Sequence, residues 1–122
     1  MKVKIDTKEK FHVITLQEPV LSANMTEKLN EELLRYPQKE IRNVVVKLGQ
    51  VKGIDKSVAH TLYTLQQTFY DKNASFVICE MQKPVEEIFE QLNLMDVLNY
   101  TPTESEAWDI VQMEEIEREF LD

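Results

Sequence analysis

The run that most constrains the fold is VVVKL at residues 44–48, which is followed by Gly49, Gly53 and then by a helical pattern ending near Tyr70. Its valines occupy both alternating positions, so both faces of the strand must be covered. That pattern is typical of a central strand in a sheet that has helices on its faces. The turn at residues 53–59 then joins this strand to a helix, and function in such folds is expected at that turn.

Strand and helix patterns alternate along the rest of the chain. Residues 3–6 and 11–16 predict a hairpin, and residues 75–79 and 97–100 predict two further strands. Helices are expected at about residues 24–35, with Ser22 or Asn24 as the cap, at 84–93, and after Thr103, with Glu106 completing a capping box. We therefore predict a single α/β domain over residues 1–122 in the order β-β-α-β-α-β-α-β-α. Its sheet of about five strands is mixed but mostly parallel, with the N-terminal strand antiparallel at an edge.

The helix after the central strand has two distinct faces. Val58, Leu62, Leu65 and Phe69 recur at helical spacing and are expected to pack on the sheet. A parallel stripe lies one residue earlier and is expected to face solvent or a partner. Its members are Ser57, Thr61, Thr64 and Thr68.

The first turn of this helix is the best candidate site. Asp55 is predicted to be the N-cap, so that Lys56, Ser57 and Val58 would be the first helical residues, with unpaired backbone N–H groups. A helix N-terminus favours anions, and the Ser57 hydroxyl would be exposed beside it. On the residues alone, an ordinary early-helix serine is the favoured interpretation of Ser57.

Composition argues against several functions. The chain has 22 acidic and 14 basic residues, a net charge of −8, which disfavours direct nucleic-acid binding. Two glycines are too few for a phosphate-binding loop, and the two histidines and Cys79 match no zinc spacing. Cys79 is predicted to be a core residue, and the pairs Glu86/Glu87 and Glu114/Glu115 are predicted to be solvated helix surface.

These observations predict a protein that is not an enzyme and uses no cofactor or metal. No nucleophile, base and orienting group can be assembled from the pattern. The sequence has no secretory signal and no apolar run near 18 residues, so we expect a cytoplasmic location without membrane insertion.

The segment Ile54-Asp55-Lys56-Ser57-Val58, a strand end followed by an acid and a hydroxyl residue opening a helix, resembles the STAS domains of the anti-sigma factor antagonist family. The flanking segments are similar as well, over roughly the whole chain. They are LSAN at 21–24, FVIC at 76–79, residues 84–93 and SEA at 105–107.

The resemblance implies a regulatory module that docks an anti-sigma factor or a serine kinase-like protein, with Ser57 as the phosphorylated residue. A phosphate there would add roughly 1.5 to 2 negative charges to the docking face. The docking set that follows is Asn24, Asp55, Lys56, Ser57, His60, Thr61 and Thr64; on the residues alone, His60 is an ordinary surface histidine. The alternative is a constitutive STAS subunit that binds the ATPase of a lipid-transporting ABC complex.

Two residues depart from the family pattern. Lys56 replaces a Ser or Thr, and Val58 replaces a Gly. Lys56 could pair with a phosphate on its neighbour. Val58 is expected to place a branched side chain where the glycine lets the backbone of a partner approach.

Overall fold

A computed structural model describes residues 1–121, and over that range it has four α-helices and a five-stranded sheet. The strands are β1 (Val3–Thr7), β2 (Phe11–Leu16), β3 (Val20–Leu21), β4 (Asn43–Lys47), β5 (Gly53–Ile54), β6 (Phe76–Cys79) and β7 (Tyr100–Thr101). The helices are α1 (Thr26–Leu33), α2 (Lys56–Asp71), α3 (Lys83–Gln91) and α4 (Glu104–Leu121), and a 3-10 turn at Ala23–Met25 precedes α1.

The main sheet has the order β1-β2-β4-β6-β7. Strand β1 is antiparallel to β2, whereas β2, β4, β6 and β7 are mutually parallel. The predicted mixed sheet with an antiparallel N-terminal edge strand is therefore confirmed, as is the central place of β4. A second ladder, in which β3 pairs with β5 in parallel, was not predicted, since two-residue strands leave no periodicity to detect.

Side-chain alternation along β4 and β6 directs their residues to two different cores. Val44 and Val46 pack with Ile78 and Leu62 in the larger core, under α1, α2 and α3, as predicted. The intervening Val45 contributes to a smaller core on the opposite face, under α4. Cys79 belongs to that smaller core and is fully buried, which confirms its predicted place.

Helix α4 contacts its face of the sheet through polar side chains at its start, apolar side chains in its middle and polar side chains near its end. At the start of the helix, the carboxylate of Glu104 is 2.8 Å from the ammonium of Lys47. In the middle, Ala107 and Val111 pack in the smaller core. Near its end, Arg118 donates a hydrogen bond to the hydroxyl of Ser75 at 2.8 Å.

The polar groups at that end form what we call the amino-end cluster, since Asn43 and Ser75 stand at the amino ends of β4 and β6. The hydroxyl of Ser75 donates to Glu114 at 2.6 Å, and the side-chain amide of Asn43 donates to Glu115 at 2.7 Å. Arg118 is paired with Glu115 at 3.1 Å. The prediction that Glu114 and Glu115 are solvated surface was wrong, because α4 turns both residues towards polar strand ends.

Three predicted details of the elements also differ. The last strand was placed at residues 97–100, but residues 94–98 form a turn closed by the bond from Leu98 N–H to Leu94, and the strand is Tyr100–Thr101. Helix α1 begins at Thr26, because the 3-10 turn occupies the expected first residues. Neither Ser22 nor Asn24 caps α1; their side chains bond to each other.

The capping box predicted for the last helix is confirmed. The backbone N–H of Glu106 donates to the Thr103 hydroxyl at 3.2 Å, and that hydroxyl donates to the Glu106 carboxylate at 2.9 Å. Local pattern was sufficient here because every partner lies within three residues.

Candidate functional site at the start of helix α2

The start of α2 is held by two neighbouring loops. The β3–β5 ladder aligns Leu21 with Ile54, and the backbone N–H of Asp55 donates to the Leu21 carbonyl at 2.9 Å. The Asp55 carboxylate accepts a hydrogen bond from the backbone N–H of Ala23 at 2.8 Å. Asp55 thus ties the 3-10 turn that carries Asn24 to the beginning of α2.

Asp55 stands at the predicted N-cap position, but its side chain makes no capping hydrogen bond within α2. That part of the prediction was wrong, because the carboxylate is engaged by Ala23 from another segment of the chain. The Asp55 carbonyl accepts from the N–H groups of Val58 at 3.0 Å and Ala59 at 3.1 Å. The N–H groups that remain directed out of the first turn belong to Lys56 and Ser57.

Ser57 is exposed as the second residue of α2, with exposed Lys56 before it. The first turn of α2 contains no acidic residue. Helix polarity, two outward N–H groups and an adjacent lysine therefore make this a locally favourable place for negative charge on a chain that is acidic overall.

The rest of the predicted docking set divides into near and distant members. His60 and Thr64 are exposed, and Thr61 is half-buried with its hydroxyl donating to the Ser57 carbonyl at 2.9 Å. Thr64 lies seven residues beyond Ser57, about 10 Å along the helix axis. The compact part of the site is therefore Asn24, Asp55, Lys56 and Ser57, with the other three extending along one helix face.

Val58 has no exposed surface and packs in the larger core. The expectation that it would obstruct the backbone of a partner was wrong, because the third residue of α2 points towards the sheet. Its substitution for glycine fills the protein interior and leaves the outward face of the first turn unchanged.

Val20 was not identified from the sequence, yet it borders the site. It is 49% exposed and pairs with Gly53, two residues before Asp55. It offers an apolar surface beside an otherwise polar patch. A valine immediately after Pro19 carries no signal of this position, since only the unpredicted β3–β5 ladder places it there.

Burial, with smaller contributions from the carboxylates of Glu80 and Glu104, raises the pKa of the Cys79 thiol to about 12, so the thiol stays protonated. No three His, Cys, Asp or Glu side chains in residues 1–121 are arranged to hold a metal ion. Over the same residues, no helix is both long and apolar enough to cross a membrane.

The profile of the STAS domain matches residues 2–107, and the chain belongs to this family. The fold agrees with that of a putative anti-sigma factor antagonist from Thermotoga maritima, with a TM-score of 0.76 and 16% identity over 90% of this chain and 94% of the other. The anti-sigma factor antagonist SpoIIAA in its unphosphorylated form gives a TM-score of 0.72 and 15% identity, covering 91% of this chain and 96% of that one. The phosphorylated form of Bacillus SpoIIAA gives 0.66 and 14%, covering 90% and 99%. No curated protein sequence matches significantly.

Proposed function

We propose that this STAS domain is a protein-binding regulatory module that docks an anti-sigma factor or a serine kinase-like protein through the start of α2. Phosphorylation of Ser57 weakens the docking. The contact surface consists of Asn24, Asp55, Lys56 and Ser57, and extends along α2 through His60, Thr61 and Thr64. The module has no catalytic activity or cofactor and acts in the cytoplasm.

The observation that carries this proposal is that Ser57 is exposed in the first turn of α2, while the contacts that hold this turn in place do not involve its hydroxyl. Asp55 is fastened to Ala23 and Leu21, so a change at Ser57 alters the surface without loosening the support. Fold similarity to SpoIIAA, known in phosphorylated and unphosphorylated forms, adds support from the family.

The test is calorimetric titration of a partner isolated by co-purification against wild type, Ser57→Ala and Ser57→Asp. Ser57→Ala is expected to bind like wild type. Juxtaposed like charges at an interface cost several kcal/mol, so Ser57→Asp is expected to weaken binding by roughly two decades or more. Lys56 screens part of that charge, so the loss is expected to grow in the double variant with Lys56→Met.

Ser105 supplies a matched control. It is exposed and is the second residue of α4, as Ser57 is of α2, so both substitutions meet the same helix polarity. Ser105→Asp is expected to bind like wild type. Equal affinities for wild type, Ser57→Ala and Ser57→Asp would contradict the switch, and a co-purified ABC transporter ATPase would favour the constitutive subunit.

A further inference from the structure

The distal half of α4 presents an apolar stripe to solvent. Met113, Ile116 and Phe120 are 56%, 53% and 85% exposed. Their spacing of three and four residues places them on one side of the helix. The opposite side carries Val111 and the members of the amino-end cluster that hold α4 to the sheet. The outward direction of the stripe is therefore fixed by the contacts beneath it.

Acidic residues border this stripe. Asp109 lies in line with it, and Glu117 and Glu119 flank it on the two sides; all three are exposed. Over its whole length α4 has seven acidic residues and one basic residue, Arg118. Arg118 is on the inner side, paired with Glu115 and bonded to Ser75, so it does not neutralise the outer face.

This charge pattern favours one kind of partner for the stripe over the others. A second copy docked stripe to stripe would place two acidic borders against each other, and juxtaposed like charges are unfavourable at an interface. An anionic lipid surface would be repelled in the same way. A protein surface with an apolar centre and Lys or Arg at its rim would meet complementary charge on both flanks of the stripe and at its Asp109 end.

We propose that the outward face of distal α4 is a second docking surface, for a protein partner whose apolar patch is rimmed by basic residues. It lies on the α4 face of the sheet, whereas α2 and Ser57 lie on the opposite face, so the two surfaces can be occupied together. The stripe has only three large side chains, and an interface of that size is typical of transient association.

The test uses two synthetic amphipathic helical peptides with the same leucine face, one flanked by lysines and one by glutamates. Fluorescence anisotropy at physiological salt measures their binding to the full chain. The lysine peptide is expected to bind, and the glutamate peptide is not. The triple variant Met113→Gln, Ile116→Gln, Phe120→Gln keeps every charge and is expected to lose at least tenfold in affinity for the lysine peptide.

Two control variants separate docking from general attraction to an acidic protein. Ile5→Gln removes a 44% exposed apolar side chain on β1 and is expected to leave binding unchanged. The variant Asp109→Lys, Glu117→Lys, Glu119→Lys is expected to exchange the preference and bind the glutamate peptide. All these positions are exposed, so the variants are expected to melt close to wild type.

Three outcomes would overturn the proposal. The first is that the lysine peptide does not bind, or binds the glutamine triple variant as tightly as wild type. The second is a wild-type dimer in analytical ultracentrifugation that the triple variant does not form, which would assign the stripe to a second copy. The third is binding to phosphatidylglycerol-containing vesicles that the triple variant loses, which would assign it to a lipid surface.

Discussion

The two faces of the sheet use the same strands but are closed by different chemistry. On the face covered by α1, α2 and α3, the central strands contribute Val44, Val46, Phe76 and Ile78, all without exposed surface. On the face covered by α4, β4 contributes polar Asn43, apolar Val45 and polar Lys47. Beside it lie Ser75, immediately before β6, and the buried Val77 and Cys79 of β6.

We infer from this difference that the larger core contributes mainly stability, whereas the α4 face fixes the position of its covering helix. The larger core stabilises the fold mainly through buried apolar surface, and hydrophobic burial is non-directional. The α4 face specifies position, because Glu104 must meet Lys47 at one end and Arg118 must meet Ser75 at the other. Partly buried polar networks of this kind are costly when one member is missing.

The difference also bears on the two proposed docking surfaces. The site at the start of α2 belongs to a helix that packs on the large apolar core, so a change of charge at Ser57 is expected to leave the fold intact. The α4 stripe is borne by a helix whose inner face depends on polar contacts. Loss of those contacts is expected to reduce docking on α4 and to leave docking on α2 unaffected.

The largest expected effect on the α4 face is that of Asn43→Ala. The Asn43 side chain accepts from the buried N–H of Ser75 at 2.7 Å and donates to Lys10 and Glu115. Each buried group left without its partner costs about 1–3 kcal/mol, so a loss of about 3 kcal/mol or more in unfolding free energy is expected. Urea denaturation measures it.

Asn24→Ala is the control for that substitution. Asn24 is exposed, so its removal is expected to change the unfolding free energy by no more than about 0.5 kcal/mol. Comparable losses for the two variants would mean that the amino-end cluster does not distinguish the α4 face.

How far the sequence predicted the structure also differs between the two faces. The larger core followed from apolar periodicity, which needs no knowledge of the partner helix. The amino-end cluster did not, because Asn43, Ser75 and Glu114 are separated by 32 and 39 residues and pair only after β4, β6 and α4 are in place. The one local signal is that Asn43 and Ser75 each lie two residues before a valine that faces the α4 side of the sheet.

The candidate site was predicted only in part, for a similar reason. Exposure of Ser57 and Thr64 followed from helical spacing, and His60 lies on the surface as expected. The bond from Ala23 to Asp55 joins residues 32 apart, and nothing in the local sequence indicated it. Val20 was missed for the same reason, since the ladder that positions it has only two residues per strand.

Within the amino-end region, Tyr70→Phe is expected to have an intermediate effect. The Tyr70 hydroxyl donates to the Glu114 carboxylate at 2.7 Å, and hydrogen bonds to charged groups contribute about 1.5–3 kcal/mol. A loss of about 2 kcal/mol in unfolding free energy is expected by urea denaturation. A loss below about 0.5 kcal/mol would show that Glu114 is satisfied by Ser75 alone.

The smaller core predicts a dependence of stability on alkaline pH. The thiol of Cys79 has a pKa of about 12 in the folded protein, against about 9.0 for an unperturbed thiol. Because the folded pKa is the higher one, the stabilisation is complete below about pH 9 and declines as the pH rises towards 12. The decline has a limiting slope of about 1.4 kcal/mol per pH unit.

Cys79→Ala isolates this contribution. The variant is less stable at every pH because it leaves a cavity, but between about pH 9 and pH 10 its unfolding free energy is expected to change less with pH than that of wild type. The measurement is chemical denaturation under reducing conditions at closely spaced pH values. Parallel curves for the two proteins would show that the thiol ionises equally in the folded and unfolded chain.

The smallest expected effect is that of Trp108→Phe, because its indole N–H is buried and has no hydrogen-bond partner within residues 1–121. Phenylalanine removes this unpaired donor, whose burial costs about 1–3 kcal/mol, and it keeps an aromatic ring near Phe11, whose centroid is 5.3 Å from that of Trp108. The ring is smaller, and the area lost offsets the gain at about 25 cal/mol per Å². The unfolding free energy is therefore expected to change by less than about 1 kcal/mol.

Both Trp108→Phe and Tyr70→Phe remove one polar donor from an aromatic side chain. The Trp108 donor is unpaired and the Tyr70 donor is paired with Glu114, and urea denaturation compares the two variants directly. Equal losses for the two would mean that ring packing, and not the pairing of polar groups, determines how α4 is held to the sheet.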